Sequence, residues 1–283
     1  MGRASGRHAI KTPPHHAAWP DYLTLWREAD EIEVFESAWN WDHFYPLAPP
    51  YDGPNLEAWT MLAALAQATT RLRLGAMVNG MHHRHPAVTA NMAATLDIIS
   101  GGRLELGIGA GWNEMESEAY GIELGSLRQR FDRFDEGVEI IRSLLDNRVT
   151  SFQGEYFTVT EAWCEPKPVQ AKVPLVIGGK GRKRTLRTAA RWADQWDMTF
   201  PAAPSDWLAL DETLRAHCEA IGRDPGEITR SVHLGYAPDD EPSRLADTAD
   251  GFFEAGVDLV IWSMQGPIDA RRLAPLARAL CET

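Results

Sequence analysis

An Asp–His pair, Asp42-His43, stands inside the aromatic run Trp39-Asn40-Trp41-Asp42-His43-Phe44-Tyr45. Imidazole titrates near neutral pH and a carboxylate can fix its tautomer, so this grouping suits proton transfer beside an apolar surface. A buried histidine satisfied by backbone is the plainer alternative. Further on, Met77-Val78-Asn79-Gly80 leads into His82, His83 and His85 around Arg84. Three close histidines invite a metal, yet no cysteine or carboxylate completes a site there and HExxH is absent. The stretch therefore reads as a polar loop, and no metal is expected.

Two glycine-rich stretches follow. Gly107-Ile108-Gly109-Ala110-Gly111 fails the dinucleotide fingerprint, because GxGxxG needs glycine where Trp112 stands. Small residues there suit a close approach of backbone to a flat ring, or simply tight strand-to-loop packing. Gly178-Gly179-Lys180-Gly181-Arg182-Lys183-Arg184 is more informative. Glycine amides at a helix start bind phosphate well, and the four basic residues add a local positive field. The sequence GK[ST] does not occur there, which disfavours an NTPase; a solvated basic helix start is the alternative.

These residues fall at the ends of short aliphatic runs that alternate with amphipathic stretches. Strands are predicted at Arg7–Lys11, Glu33–Ser37, Leu72–Val78, Leu104–Ile108, Pro174–Ile177, Trp196–Phe200, Ser231–Tyr236 and Asp258–Trp262. Helices are expected between them, at Trp19–Ala29, Leu56–Ala68, Pro86–Ser100, Arg128–Leu145, Lys183–Ala193, Ser205–Ile221, Ser243–Ala255 and Asp269–Leu280. Eight alternating strand–helix units imply a parallel sheet closed into an α/β barrel, with a doubly wound open sheet as the competing topology. In a barrel, functional residues lie after the strands on the C-terminal rim, which is where the loops above fall.

Composition narrows the function classes. A net charge of −12 over 283 residues argues against a nucleic-acid partner, whose phosphates need Lys and Arg. No run of about 18 apolar residues occurs, so no membrane span is expected. Residues Met1 to Pro14 lack an apolar signal core, and three scattered cysteines suggest reduced thiols, so a cytoplasmic protein is expected.

Taken in order, the motifs resemble the luciferase-like monooxygenase superfamily, specifically its coenzyme F420-dependent oxidoreductase branch. Phe35-Glu36-Ser37-Ala38-Trp39 with Asp42-His43-Phe44, Thr70-Arg71-Leu72-Arg73-Leu74-Gly75, His85-Pro86-Ala87 and Ser100-Gly101-Gly102-Arg103-Leu104 carry the likeness. The run from Gly107 to Glu114, Gly154-Glu155-Tyr156-Phe157 and Gly178-Gly179 complete it. The resemblance implies a single luciferase-like (β/α)8 TIM-barrel domain over residues 1–283, with an insertion between strand 4 and strand 5. It implies F420 as cofactor, with FMN and a monooxygenase reaction as the alternative. The ring would lie against Met77, Val78, Asn79 and Gly109, with a non-proline cis peptide near Met77–Val78. Asn113 would contact the cofactor side chain, and Gly178 and Gly179 its phosphate, helped by Lys180 and Arg182. His43 matches the histidine beside the reacting carbon, with Asp42 as a secondary candidate for orienting the site. The basic run favours F420, whose tail is acidic. A small-molecule substrate, a flavin or F420 reductase as partner and a homodimer are further implications. One departure matters: sugar-phosphate dehydrogenases of the branch carry a catalytic glutamate where this chain has Trp112, so neither that substrate nor that acid is carried over.

Overall fold

Alternation of short apolar strands with longer helices leaves each strand's nearest partner one unit away, and the computed structural model shows parallel pairing throughout the main sheet. It describes residues 6–282; residues 1–5 and 283 of the expected domain, and the corresponding part of the signal-core reading, lie outside the described residues. The strands are β1 (Arg7–Lys11), β2 (Phe35–Asn40), β3 (Arg73–Ala76), β4 (Asn79–Gly80) and β5 (Leu106–Gly109). The antiparallel pair β6 (Thr150–Gln153) and β7 (Thr158–Ala162) stands apart from the main sheet, which resumes with β8 (Leu175–Gly178), β9 (Gln195–Thr199), β10 (Thr229–Tyr236) and β11 (Leu259–Met264). Sheet order runs β3-β2-β1-β11-β10-β9-β8-β5-β4. Because β3 and β4 are successive pieces of one stave, the nine strands make an eight-stave barrel. A Leu74–Leu104 bridge and the Glu105 amide donating to Leu74 O at 2.9 Å draw its seam together. This is a (β/α)8 TIM barrel.

The helices are α1 (Trp19–Glu31), α2 (Ala58–Ala68), α3 (Pro86–Ser100), α4 (Glu114–Ala119), α5 (Leu127–Asp146), α6 (Thr185–Trp192), α7 (Pro204–Ala220), α8 (Pro242–Ala255) and α9 (Leu273–Cys281). Pro86 opens α3, where its missing N–H costs nothing, and Gly101 in the left-handed region closes it. Most of the apolar core lies between helices and barrel; a smaller cluster of Ala9, Trp39, Met77, Val176, Leu259 and Ile261 fills the barrel itself. That plug leaves the C-terminal end open. Among the described residues no helix is long and apolar enough to cross a membrane.

Three departures from the sequence reading bear on the site. Strand two runs on through Asn40, three residues past its expected end, because Trp39 turns inward into the plug. The third strand stops at Ala76, short of its expected end at Val78, while the cis peptide at Met77–Val78 falls where it was expected. The loop after Trp112 contains α4, capped by the Asn113 side chain.

The α1 end illustrates how the frame is held. Asp30 accepts from the amides of Thr70, Arg71 and Leu72 at 2.7, 2.9 and 2.8 Å, pinning the entry to β3. Asp30→Ala strands those amides, so urea denaturation should show a loss of about 3 kcal/mol. Unchanged stability would mean that water replaces the carboxylate.

Candidate functional site

A cavity of about 420 Å³ opens at the C-terminal end of the staves. Its walls include Asp42, His43, Met77, Val78, Gly109, Asn113, Gly178 and Gly179 from the sequence reading, brought together from the ends of four strands and the loops that follow them. Asn79, Lys180 and Arg182 stand outside this lining. Asn79 is buried beside the strand break, accepting from Trp59 Nε1 at 2.7 Å and donating to Gly107 O at 2.7 Å. Lys180 reaches the Phe200 carbonyl, and the Arg182 guanidinium donates to Ala209 O and Thr213 Oγ1 on α7. Arg184 is likewise held by Asp132 and Asp135 of α5, so much of the basic run is already paired.

His43 does not use its sequence neighbour. Its Nδ1 lies 2.7 Å from Oε2 of Glu116, and Glu116 Oε1 accepts the Phe44 amide at 2.6 Å. Burial works against the Glu116 charge, but the hydrogen bond and charge of His43 and the Phe44 amide hold its carboxyl below the usual range. With Nδ1–H donated to Glu116, Nε2 of His43 carries the lone pair available to a ligand. The ring stands edge-on to Trp41 and Trp112, at centroid distances of 6.1 and 5.5 Å. Asn55 Nδ2 donates to the His43 carbonyl at 2.7 Å and fixes the loop.

Asp42 belongs to a second set. It accepts from His83 Nδ1 at 3.1 Å and Arg84 at 2.6 Å, and Arg84 also bonds Glu57 at 3.0 Å. Burial opposes the Asp42 charge, and His83 and Arg84 overcome it, so the carboxyl stays ionised below its ordinary range. The two sets approach where His83 Nε2 comes within 3.8 Å of Glu116. The three neighbouring histidines therefore diverge: His83 joins Asp42, His85 caps α3, and His82 has no hydrogen-bond partner. Among the described residues no group of three His, Cys, Asp or Glu side chains could hold a metal ion.

His82 packs between Gly80 and Gly111; a Cβ on Gly111, whose φ is +88°, would sit 2.3 Å from its Nδ1. Burial, reinforced by the neighbouring His83, lowers its pKa to about 3. The folded state keeps this ring neutral while the unfolded chain protonates it below about 6.5, so folding loses stability as pH falls through that window. Chemical denaturation at pH 7 and pH 5 should show a steeper loss for the wild type than for His82→Leu. Equal losses would assign acid sensitivity elsewhere.

The cavity surface also meets a flat ring's requirements. Val78 forms a wedge against which Gly109 and Gly178 close: a Cβ on either would approach its methyls to 2.7 and 3.0 Å. Beyond it, Gly179 has φ +130°, conformationally open to glycine, in the turn before α6. A smooth apolar wedge next to a turn free of side chains fits a flavin-type ring with a phosphate-bearing side chain, although the Gly179 amide itself is donated to Asp197 O at 3.0 Å.

Glu116 escaped the sequence reading because it lies 73 residues from His43 and two acidic neighbours compete with it. The usable signal was the Asn113-x-x-Glu116 spacing, in which Asn113 accepts the Glu116 amide at 3.2 Å and turns that side chain inward. Lys11, Asp197 and His233 also line the cavity and were not singled out; their inward placement was readable only from strand alternation.

Comparison with known proteins gives the context. The chain is 33% identical over 254 residues to the phthiodiolone/phenolphthiodiolone dimycocerosates ketoreductase of Mycobacterium tuberculosis, covering 82% of this chain and 66% of the relative. It is 32% identical over 219 residues to the pyrimidine monooxygenase RutA of Allorhizobium ampelinum, covering 74% of this chain and 58% of the relative. The chain thus spans slightly less than two thirds of these curated relatives. A solved F420-dependent secondary alcohol dehydrogenase, in complex with an F420-acetone adduct, superposes with a TM-score of 0.86 at 20% identity, covering 97% of this chain and 98% of that one. Its likeness establishes the fold. The family model for luciferase-like monooxygenases matches residues 5–279, and the chain belongs to that family.

Proposed function

We propose that the cavity is a hydride-transfer site that uses coenzyme F420 and acts on a small organic carbonyl or carbinol. The observation that carries this reading is His43, anchored by the buried Glu116, lining the same cavity as the Val78 wedge. When bound, the deazaflavin supplies or accepts the hydride. Interconverting a carbonyl and a carbinol also moves one proton, and His43 Nε2 is the group placed to give or take it, with Glu116 stabilising the charged imidazole. Met77, Val78 and Gly109 support the ring. Asn79 holds the backbone beneath the break, and Asn113 stands where the cofactor side chain passes. Gly178 and Gly179 receive the phosphate, Lys180 adds charge nearby, and Arg182 acts through its field and its hold on α7. The aromatic edges of Trp41 and Trp112 exclude water from the proton-transfer group. The enzyme shares a diffusible cofactor with a separate F420 or flavin reductase in the cytoplasm.

Similarity to a pyrimidine monooxygenase supports a second reading, an FMN-dependent monooxygenase on the same barrel. Titration of the purified protein with F420 and with FMN, read by fluorescence, separates the two. Saturable F420 binding with weaker FMN binding is expected; tight FMN and no F420 binding would overturn the first reading.

A further inference from the structure

The strands β1, β11 and β10 form a wall centred on β11, four staves around from β5 at the middle of the side that carries Val78, Gly109 and Gly178. Lys11 pairs in register with Ser263, and His233 sits two residues deeper, level with Ile261 and Ala9. All three polar residues line the cavity and are 7, 5 and 2% exposed. Their working atoms lack partners. Neither the Lys11 ammonium nor the Ser263 hydroxyl makes a hydrogen bond to the described residues, and His233 Nε2 is buried without one.

The nearby carboxylate does not supply the missing counterion. Asp197 accepts from Ser231 Oγ at 2.8 Å and pairs with His233 Nδ1 at 2.6 Å, which fixes that ring. Lys11 is left with a cation–π contact to Trp41, 5.8 Å from the ring centre. Burial lowers its pKa to about 8 against the pull of Asp197, so it remains mostly charged at neutral pH. An ammonium held in a cavity without an acceptor is costly, and the matching anion restores what burial removed.

We propose that Lys11, Ser263 and His233 form a subsite for a carboxylate carried by the substrate. Two carboxylate oxygens offer about four lone-pair positions, enough for the ammonium, the hydroxyl and the imidazole edge together. Burial, then Lys11 and Lys180, lower the His233 pKa against the pull of Asp197; a carboxylate seated beside the ring offsets the two cations, and a proton taken from solvent onto Nε2 then lets it donate. The carboxylate anchors the substrate on the wall across from the Val78 wedge. This deepens the hydride-transfer reading by naming a substrate class, and does not depend on which cofactor is used.

The test is calorimetric titration with benzoate and its neutral isostere benzamide, on the protein free of cofactor and loaded with it. Benzoate should bind about tenfold or more tightly than benzamide in both forms. Lys11→Met and Lys11→Gln should each abolish that preference, and Ser263→Ala should reduce it about threefold. Loss of the buried cation should leave Lys11→Met folded and melting about 3 °C higher. Equal binding of acid and amide overturns the proposal, as does a preference that survives both Lys11 variants. Benzoate binding that disappears on cofactor loading also overturns it, because the anion then sat at the Gly178–Gly179 turn. Failure of the wild type to bind either cofactor would sink the hydride-transfer reading while leaving the benzoate comparison intact.

Discussion

Replacing His43 by alanine is expected to lower kcat/KM by about 10²- to 10⁴-fold while cofactor affinity stays near wild type. The imidazole reaches the cavity through Nε2, and its other nitrogen is anchored to Glu116 at 2.7 Å. Its removal deletes the proton-transfer group without touching the Val78 wedge or the glycine turn. Glu116→Gln keeps the size of the side chain but removes its charge. Turnover should then fall by about tenfold, less than for His43→Ala, since the imidazole remains in place. Steady-state kinetics with the cofactor that binds, together with a fluorescence titration of each variant, provides the measurement. Full turnover in His43→Ala would remove this residue from the chemistry.

Gly109→Ala should weaken cofactor binding by about 10²-fold with little change in the fold. The new Cβ would lie 2.7 Å from Val78 Cγ2, so the valine must move, and the open direction is into the cavity where the ring lies. Trimming the wedge should relieve the crowding: Gly109→Ala combined with Val78→Ala should recover at least part of the affinity, a coupling that a double-mutant cycle reads directly. Gly107→Ala makes the contrast. Its Cβ would meet the backbone oxygen of Ala76 at 2.2 Å, and a carbonyl in a strand cannot step aside. That variant should lose stability in thermal melts, whereas Gly109→Ala should lose ligand. If additivity held between Gly109 and Val78, the wedge would not be what supports the ring.

Much of the site was legible from local chemistry. His43, Met77, Val78, Gly109, Asn113, Gly178 and Gly179 stand after strands whose apolar runs are short and clear, and all of them reach one cavity. The roles of charged residues were less legible. Asp42 was grouped with His43 by adjacency, yet consecutive side chains at a strand end diverge, and Asp42 turns to His83 and Arg84. Arg182 and Arg184 were read as a local field at the phosphate turn. Their long side chains instead reach across to α7 and α5, where acceptors are available.

The order of elements on this chain alone determined the eight-stave barrel and the end at which its rim residues would gather, because strand alternation, Pro86 and Gly101 act over a few residues. Tertiary structure decided which carboxylate reaches His43, how Val78 is seated between Gly109 and Gly178, and that Lys11 faces Ser263 on the neighbouring stave. Those outcomes depend on barrel closure and strand register, which bring together residues far apart along the chain, and no local propensity encodes such distances.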